Sequence, residues 1–395
     1  MSFDKLESSI VYECAISNRI NARSISWNSS GTTLAMAGSD RTTKLYTMAD
    51  LMSSSSSGSS SSSSSARELA TISGHSGTID RVRYHPTQDS LLATASGSDA
   101  TVRLWDMRSS STAKAAGKID LTGGSSGGSN GSSVDISWSP STKANLLVVT
   151  EKNSNTHVVD TRKLSSSAKT PNAPNKKPTT KSSPFLKTFS LRPKIVDSCA
   201  FSPSGDHLVA ATSEEGYGEL TVWNWDACDG AALAGKEEKT DGNVSSRQYV
   251  YPAHTGPIYS FCFSPNGRRL ATGGGDALVG LWDVDTMVCS STITRCDRFV
   301  RSVSFSFDSK VIATSTEESS IDLADSETGA LIGRVAMNST GGSNNSGRSG
   351  RADRNAPGAD EIAFHPRAHL LACARCDSGA YSPLTIMKLT LGRQK

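Results

Sequence analysis

The stretch "GGGDALVGLWDVD", residues 273–285, decides how this sequence folds. A glycine-rich turn ends at Asp276, and small and aliphatic residues then alternate up to Trp282. Alternation with a period of two predicts a half-buried β-strand. The stretch contains no His, Cys or Lys that could assist the Asp276 carboxylate in catalysis. We therefore interpret the acid as part of a turn between two strands.

Variants of this pattern recur along the chain. In each, an aromatic residue followed by a polar residue, and usually by proline, closes a short alternating strand. The seven aromatic residues are Trp27, Tyr84, Trp138, Phe201, Phe263, Phe305 and Phe364. A second apolar run follows each of them, and a third strand follows that run, most clearly in "TVRLWDM", "ELTVWNWD" and "ALVGLWDV". Three strands repeated seven times predict an all-β repeat protein.

The spacing of the repeats is uneven because low-complexity inserts interrupt them. Successive aromatic residues are 57, 54, 63, 62, 42 and 59 residues apart, whereas a bare unit of this kind needs about 40–45. Such inserts bury too little apolar surface to offset the entropy of ordering, so we predict disordered loops. The five Ser/Gly-rich or otherwise biased inserts are residues 53–65, 109–132, 165–184, 226–246 and 338–358.

These features resemble WD40 repeats, and the resemblance implies one seven-bladed β-propeller over residues 1–395. Two units carry the residues that form a hydrogen-bonded tetrad in that family, in which Asp, His, a hydroxyl and Trp fasten a blade. They are His75, a Ser or Thr in "ATAS", Asp99 and Trp105, and His254, Thr272, Asp276 and Trp282. Units three, six and seven depart from the pattern, so we expect their blades to rely more on packing.

The last unit supplies only three strands, near residues 359–364, 369–375 and 383–389. Residues 9–16, "SIVYECAI", precede the first unit and have no other strand to pair with. We predict that they form the outer strand of the last blade, which closes the ring and removes an exposed edge.

Composition and motifs argue against several functional classes. The 41 basic and 38 acidic residues leave a formal charge of only +3, which does not demand a nucleic acid or membrane partner. The chain has no apolar run of about 20 residues and no signal peptide pattern, so we expect a soluble intracellular protein. The pair Cys373 and Cys376 has no second pair for a metal, and Gly273–Gly275 leads into a strand rather than the helix of a phosphate loop. We expect no catalytic site, cofactor or metal.

The first residues of the inner strands are the candidates for partner binding. The residue four positions before each repeated aromatic is polar or aromatic in six of seven units, although packing alone would favour apolar side chains. These residues are Arg23, Asp80, Val134, Asp197, Tyr259, Arg301 and Asp360, and Arg19, Arg81 and Arg298 lie nearby in sequence. They would line the mouth of the central channel either as a protein dock with local positive charge or as an ordinary solvated rim. The aromatic interleaving of a single-stranded RNA platform is absent.

The segments "AHTGPI", "DALVGLWDVD", "VRSVSFS" and "EESSIDLADSETG" resemble the WD40 subunit of the THO complex, and "GHSGTIDRVRYHP" and "SVDISWSP" agree with this. The resemblance implies a non-catalytic nuclear scaffold in the THO/TREX assembly, which couples transcription elongation to mRNP packaging and mRNA export. It also implies large helical scaffold subunits, a DEAD-box helicase and an export adaptor as partners, with RNA contacted indirectly.

Two alternatives remain open. The sequence "WDMR", residues 105–108, matches the WDxR motif by which some propellers join cullin-4 ubiquitin ligases as substrate receptors. A general nuclear adaptor in chromatin or splicing is the other. The lysines of one insert would contact RNA, direct nuclear import or belong to a solvated linker; they are Lys169, Lys176, Lys177 and Lys181.

Overall fold

A computed structural model gives the fold. The structure describes residues 3–14, 21–48, 67–108, 114–121, 134–143, 145–151, 155–165, 185–190, 194–225, 248–337, 358–375 and 383–393. These residues form 28 β-strands, one helical turn α1 (Arg162–Ser165) and a 3-10 turn at Ser141–Lys143.

The strands form seven antiparallel four-stranded sheets, which are the blades of a propeller. From the innermost strand outward, blade 1 contains β2 (Ala22–Trp27), β3 (Thr33–Gly38), β4 (Thr42–Thr47) and β5 (Arg67–Ser73). Blade 2 contains β6 (Arg81–Tyr84), β7 (Leu91–Ser96), β8 (Thr101–Asp106) and β9 (Lys114–Asp120). Blade 3 contains β10 (Val134–Trp138), β11 (Leu146–Glu151), β12 (Asn155–Asp160) and β13 (Phe185–Ser190).

The next three blades repeat this order. Blade 4 contains β14 (Ile195–Phe201), β15 (His207–Glu214), β16 (Tyr217–Asn224) and β17 (Gln248–His254). Blade 5 contains β18 (Ile258–Phe263), β19 (Arg269–Gly274), β20 (Val279–Asp283) and β21 (Val288–Ile293). Blade 6 contains β22 (Val300–Phe305), β23 (Val311–Thr316), β24 (Ser320–Asp325) and β25 (Leu331–Ala336).

Blade 7 joins the two parts of the chain that lie farthest apart in sequence. Its inner strands are β26 (Glu361–Phe364), β27 (Leu370–Ala374) and β28 (Leu384–Arg393), and its outer strand is β1 (Phe3–Glu13). The strands β1 and β28 are antiparallel, with Ser8 opposite Leu389 and Ile10 opposite Met387. The predicted seven-bladed fold and its closure by the N-terminal strand are therefore confirmed, with that strand running from residue 3 instead of residue 9.

One predicted insert is wrong in part. Residues 109–132 were expected to form one disordered loop, but β9 lies within that range and pairs with β8. The reason is that Ile119 and Leu121 are buried between blades 2 and 3, so this short segment has apolar side chains to bury despite its Ser/Gly-rich flanks. The remainder of this insert and nearly all of the other four lie outside the described residues.

The seven repeated aromatic residues each end an inner strand. The polar residue that follows caps the next turn: Ser264 accepts a hydrogen bond from the Arg269 N–H at 2.9 Å, and Ser306 accepts one from the Val311 N–H at 3.0 Å. The recurring phrase of aromatic, polar residue and proline thus encodes a buried anchor and a capped turn.

Serine side chains connect the inner strands of neighbouring blades. Ser302 and Ser304 of blade 6 accept hydrogen bonds from the backbone N–H groups of Ile362 and Phe364 in blade 7, at 3.2 and 3.0 Å. The channel-facing edge of an inner strand has no further strand to pair with, so these serines accept backbone N–H groups that would otherwise lack a partner in the sheet. Ser26 does the same for the Tyr84 N–H at 3.0 Å.

Three buried histidines have a lowered pKa. Burial lowers the pKa of His75, His85 and His365. At His365 burial outweighs the contact of Nε2 with the Gly31 carbonyl oxygen at 2.9 Å, which acts to raise the pKa. The His365 Nδ1 accepts a hydrogen bond from the Arg367 N–H at 3.0 Å, which requires a neutral ring. Gly31, at φ +79°, approaches the ring too closely to carry a side chain.

We expect the melting temperature to fall as the pH drops below about 6.5, the pKa of an unfolded histidine. Below that pH His365 is protonated in the unfolded chain but stays neutral in the folded one, so protons stabilise the unfolded state and the stability present at higher pH is lost. Thermal melts from pH 8 to pH 5 measure the slope. In the variant His365→Asn the slope should be shallower, because asparagine does not titrate. The fold should accept asparagine there, since Asn28 fills the corresponding position of blade 1 and accepts the Thr33 N–H at 3.0 Å. An unchanged slope would contradict a role for His365.

Candidate partner-binding rim

A chain of four hydrogen-bonded side chains fastens blade 2. His75 Nδ1 lies 2.8 Å from Asp99 Oδ2, and His75 Nε2 lies 2.7 Å from Thr94 Oγ1. Trp105 donates its indole N–H to the same Thr94 oxygen at 2.8 Å. Burial would raise the pKa of Asp99, but hydrogen bonds from Thr101 and His75 outweigh it and hold the pKa below its usual value. The hydroxyl that the sequence left open is thus Thr94.

Blade 5 repeats this arrangement with the residues of the opening stretch. His254 Nδ1 lies 2.9 Å from Asp276 Oδ1, and His254 Nε2 lies 2.8 Å from Thr272 Oγ1. Trp282 donates to Thr272 Oγ1 at 3.0 Å. Asp276 also accepts the Thr255 N–H at 3.0 Å. All polar atoms of this group are occupied within the blade, which leaves the acid a structural role.

Blade 6 replaces the tetrad with ion pairs. Arg295 follows β21 by two residues, as His75 follows β5, but it contacts Asp322 at 3.2 Å. Arg334 of β25 binds the other oxygen of Asp322 at 2.6 Å. The position of the tetrad tryptophan is Ala324, and the Thr314 hydroxyl is buried without a partner. The expectation that this blade depends on packing is therefore incomplete, since a largely buried carboxylate held by two arginines also joins its strands.

A β-bulge explains the polar column at the start of the inner strands. In four blades the residue four positions before the aromatic is an extra residue that the register between the two strands skips: Arg23, Asp197, Tyr259 and Arg301. In blades 2 and 7 the N–H groups of Asp80 and Asp360 donate to the carbonyls of Ala95 and Ala374, the residues that lie opposite Arg81 and Glu361 in the register. In blade 3 the inner strand β10 pairs with β11 without a bulge, and the residue at this position is the buried Val134. A bulge turns its side chain out of the regular alternation, which frees the position from core packing.

Ion pairs between blades occupy one half of the rim. Arg23 lies 3.4 Å from Asp80, and Asp80 also accepts the Gly97 N–H at 2.7 Å. Arg81 lies 3.0 Å from Asp135 of the next blade. Burial would lower the pKa of Arg81, but the Asp135 and Glu361 carboxylates outweigh it and raise the pKa. These predicted rim residues are therefore engaged with each other.

Sequence reasoning missed three residues of this network. Arg83 lies 2.7 Å from Glu361, and the other oxygen of Glu361 accepts the Ile25 N–H at 2.8 Å. Asp135 accepts hydrogen bonds from Arg81 and from Ser198. The sequence does contain a signal for these three residues. Most units have serine or alanine one and three positions before the repeated aromatic, whereas Arg83, Asp135 and Glu361 place a charge at such a position.

The rim of blades 5 and 6 combines an ion pair between Arg301 and Glu317 with a pair of aromatic rings. The Arg301 guanidinium lies 5.7 Å from the centre of the Tyr259 ring, and Phe299, which is 46% exposed, lies 6.2 Å from the same ring. Arg298 lines a cavity of about 910 Å³ together with Glu317 and Glu318. Exposed aromatic rings beside arginines are typical of protein interfaces.

The remaining predicted rim residues are less informative. Asp197 accepts a hydrogen bond from Ser213 at 3.4 Å, and Asp360 is half-buried. Arg19 lies outside the described residues, as do the four lysines of the insert at 165–184. The structure therefore brings together Arg23, Asp80 and Arg81 on one side and Tyr259, Arg298 and Arg301 on the other.

The other motifs have local explanations. Arg108 of the WDMR motif is exposed and folds back onto Asp106, with Nε 2.9 Å from Oδ2. Burial raises the pKa of the Cys373 thiol to about 12, and Cys376 lies outside the described residues. At Gly274 a side chain would collide with the His254 ring, so that glycine serves the tetrad.

The described part of the chain lacks two kinds of feature. It contains no group of three or more His, Cys, Asp or Glu residues placed to hold a metal ion. Within the same residues no helix has the length and apolar character needed to cross a bilayer.

The class of protein follows from the blades, their fasteners and a comparison with family models. A model of the "WD domain, G-beta repeat" family matches residues 66–106 and 245–283, which contain the two tetrads described above. The chain is a seven-bladed β-propeller with WD40 repeats.

Individual relatives narrow this class. THO complex subunit 3 of Arabidopsis thaliana is 28% identical over 320 residues, which cover 80% of this chain and 81% of that protein. WD repeat-containing protein AAC3 of Dictyostelium discoideum is 28% identical over 299 residues, 74% of this chain but only 52% of that protein. Protein hir1 of Emericella nidulans is 36% identical over 90 residues, 23% of this chain and 8% of that protein. Of these three relatives, the Arabidopsis protein has the most similar extent.

Proposed function

We propose that this protein is a non-catalytic scaffold subunit of a nuclear THO/TREX-type assembly that couples transcription elongation to mRNP packaging and mRNA export. The observation that carries the proposal is the match to THO complex subunit 3 over about four fifths of both chains. A relative that shares only the repeat would match over a short segment, as hir1 does over 90 residues. In this role the protein presents a rigid disc to large helical scaffold subunits, and a DEAD-box helicase and an export adaptor join the same assembly.

The rim of blades 5 and 6 is the surface that we assign to the helical partner. Tyr259 and Phe299 supply aromatic anchors, and Arg298 and Arg301 supply guanidinium groups, that of Arg301 being paired with Glu317. Interfaces concentrate their binding energy in such aromatic and arginine residues.

Affinity purification of the tagged full chain from nuclease-treated nuclear extract, followed by mass spectrometry, tests the proposal. We expect stoichiometric THO scaffold subunits with the wild-type chain and a loss of about tenfold or more with Arg298→Glu combined with Arg301→Glu. Arg268→Glu is the matched control, because Arg268 is an exposed arginine in the turn after β18, at the opposite end of the inner strands. Recovery of a cullin-4 ligase adaptor without THO subunits would overturn the proposal and favour the WDMR motif at Arg108.

A further inference from the structure

The outer strand of blade 4 lacks the charged residues that usually protect a sheet edge. Proteins prevent unwanted pairing at exposed edges with charged residues, especially lysine, and with bulges or proline. The strand β17, "QYVYPAH", contains no Lys, Arg, Asp or Glu. Among the seven outer strands that the structure describes, only β21 shares this property, and each of the others contains at least one charged residue.

The strand β17 also lacks the mid-strand bulge that distorts the other described outer strands. Six outer strands contain an extra residue in mid-strand, namely Val11, Leu69, Ala116, Leu186, Ser290 and Ile332. Pairing of β17 with β16 runs without interruption from Gln248 to Pro252, and the only irregularity follows at Ala253. Blade 4 therefore combines an uncharged outer strand with a regular run of five paired residues, a combination that the other described outer strands lack.

The exposed side chains of β17 suit an added strand. Tyr249 and Val250 are 46% and 41% exposed, whereas Tyr251 packs against the apolar cluster between blades 4 and 5. Aromatic and β-branched side chains make the strongest cross-strand pairs. Pro252 has no N–H to donate, so an added strand would form one backbone hydrogen bond fewer at that position.

An acidic cavity of about 630 Å³ lies where β17 ends. Pro252 and Ala253 form one wall, and the turn between β15 and β16 forms another with Glu214, Glu215 and Tyr217. Tyr217 is 60% exposed. The cavity therefore continues the edge and adds an aromatic ring to it.

The cavity has an excess of negative charge. Its lining includes four carboxylates, those of Glu214, Glu215, Glu219 and Asp276. Among the described residues, one ammonium group lies close to these carboxylates: Lys194 Nζ is 3.5 Å from Glu214 and also binds Glu219. Burial would raise the pKa of Asp276, but hydrogen bonds, led by that with His254, outweigh it and lower the pKa. Among the described residues Glu215 has no ion-pair partner.

We propose that the outer edge of blade 4 binds an extended segment of a partner protein, which pairs antiparallel to β17 and places a basic side chain in the cavity. Because β17 runs toward the cavity, the N-terminal end of an antiparallel segment lies there. An arginine at that end would meet the Glu215 carboxylate and the face of the Tyr217 ring, two contacts that the guanidinium group favours. Backbone hydrogen bonds to the edge would supply the affinity and alternate side chains the specificity. This surface is separate from the channel rim, so it stands independently of the proposed function.

Fluorescence polarisation with the full chain tests this proposal. The probe is a labelled peptide of sequence Arg-Thr-Val-Thr-Val-Thr-Val, compared with the same peptide carrying Glu in place of Arg. We expect saturable binding of the arginine peptide, and affinity about tenfold or more lower for the glutamate peptide. Val250→Lys and Glu215→Lys should each weaken binding of the arginine peptide by about tenfold or more, the first by charging the edge and the second by charging the cavity.

Val288→Lys is the matched control, because Val288 is a 59% exposed valine on β21, the outer strand of the next blade. It should leave the affinity unchanged, and thermal melts establish that all three variants are folded. Absence of saturable binding to the wild-type chain, or equal binding by Val250→Lys, would overturn the proposal. A monomer–dimer equilibrium in sedimentation velocity that Val250→Lys abolishes would assign the edge to a second copy of the chain and also overturn it.

Discussion

Replacing Thr272 by valine is expected to destabilise the propeller by about 2–6 kcal/mol. The Thr272 hydroxyl is fully buried and is shared by His254 Nε2 at 2.8 Å and the Trp282 indole N–H at 3.0 Å. Valine has nearly the same shape but removes this oxygen. Two buried polar groups would then lose their partner, and each unsatisfied group costs about 1–3 kcal/mol. Urea unfolding followed by tryptophan fluorescence measures the loss.

Blade 6 offers an exact positional control in Thr314→Val. Thr314 lies opposite Asp322 in β24, just as Thr272 lies opposite Gly280 in β20, and it is 2% exposed. Its hydroxyl has no hydrogen-bond partner. The substitution should therefore change the free energy of unfolding by less than about 1 kcal/mol or increase stability, because it removes a polar atom that is already unsatisfied. Equal losses in the two variants would contradict the tetrad as the source of the effect.

The ring was predictable because its units repeat a local signal. Alternation with period two and a terminal aromatic residue identify each inner strand without knowledge of the neighbouring blade. The strand β9 was missed for the opposite reason: its flanks are rich in Ser and Gly, and only contact with blade 3 buries Ile119 and Leu121. Burial between blades is a property of the closed ring, which local composition does not contain.

The candidate site was predictable only as a column of positions. Counting back from the aromatic residues located Tyr259 and Arg301, which the structure places in contact. It could not locate the ion pairs between blades. Arg83 of blade 2 and Glu361 of blade 7 are 278 residues apart in sequence, and the closed ring brings them together across blade 1. Nor could it show that the column consists largely of β-bulges, since a bulge is a register shift between two strands and has no sequence signature here.

Removal of residues 1–14 is expected to destabilise the propeller by at least about 5 kcal/mol, because the ring then loses the strand that closes it. The deletion exposes the edge of β28 and uncovers the apolar cluster that Val11 and Tyr12 help to cover, which includes Leu384 and Ile386. Two half-buried apolar side chains contribute about 1.5–3 kcal/mol each if fully buried, and each lost backbone hydrogen bond costs about 0.5–1.5 kcal/mol. The uncovered edge should also promote association of the truncated chain.

Scanning fluorimetry and sedimentation velocity measure both effects. A synthetic peptide of residues 3–14 added in excess should restore the melting temperature and the monomer, since a ligand that binds only the folded state stabilises it by mass action. A scrambled peptide of the same composition should not, because β1 and β28 pair in a defined register in which apolar Ile10 stands opposite Met387. If the truncated chain keeps the melting temperature of the full chain and stays monomeric, closure of the ring resides in contacts between inner strands, and β1 only covers an edge that the propeller can leave open.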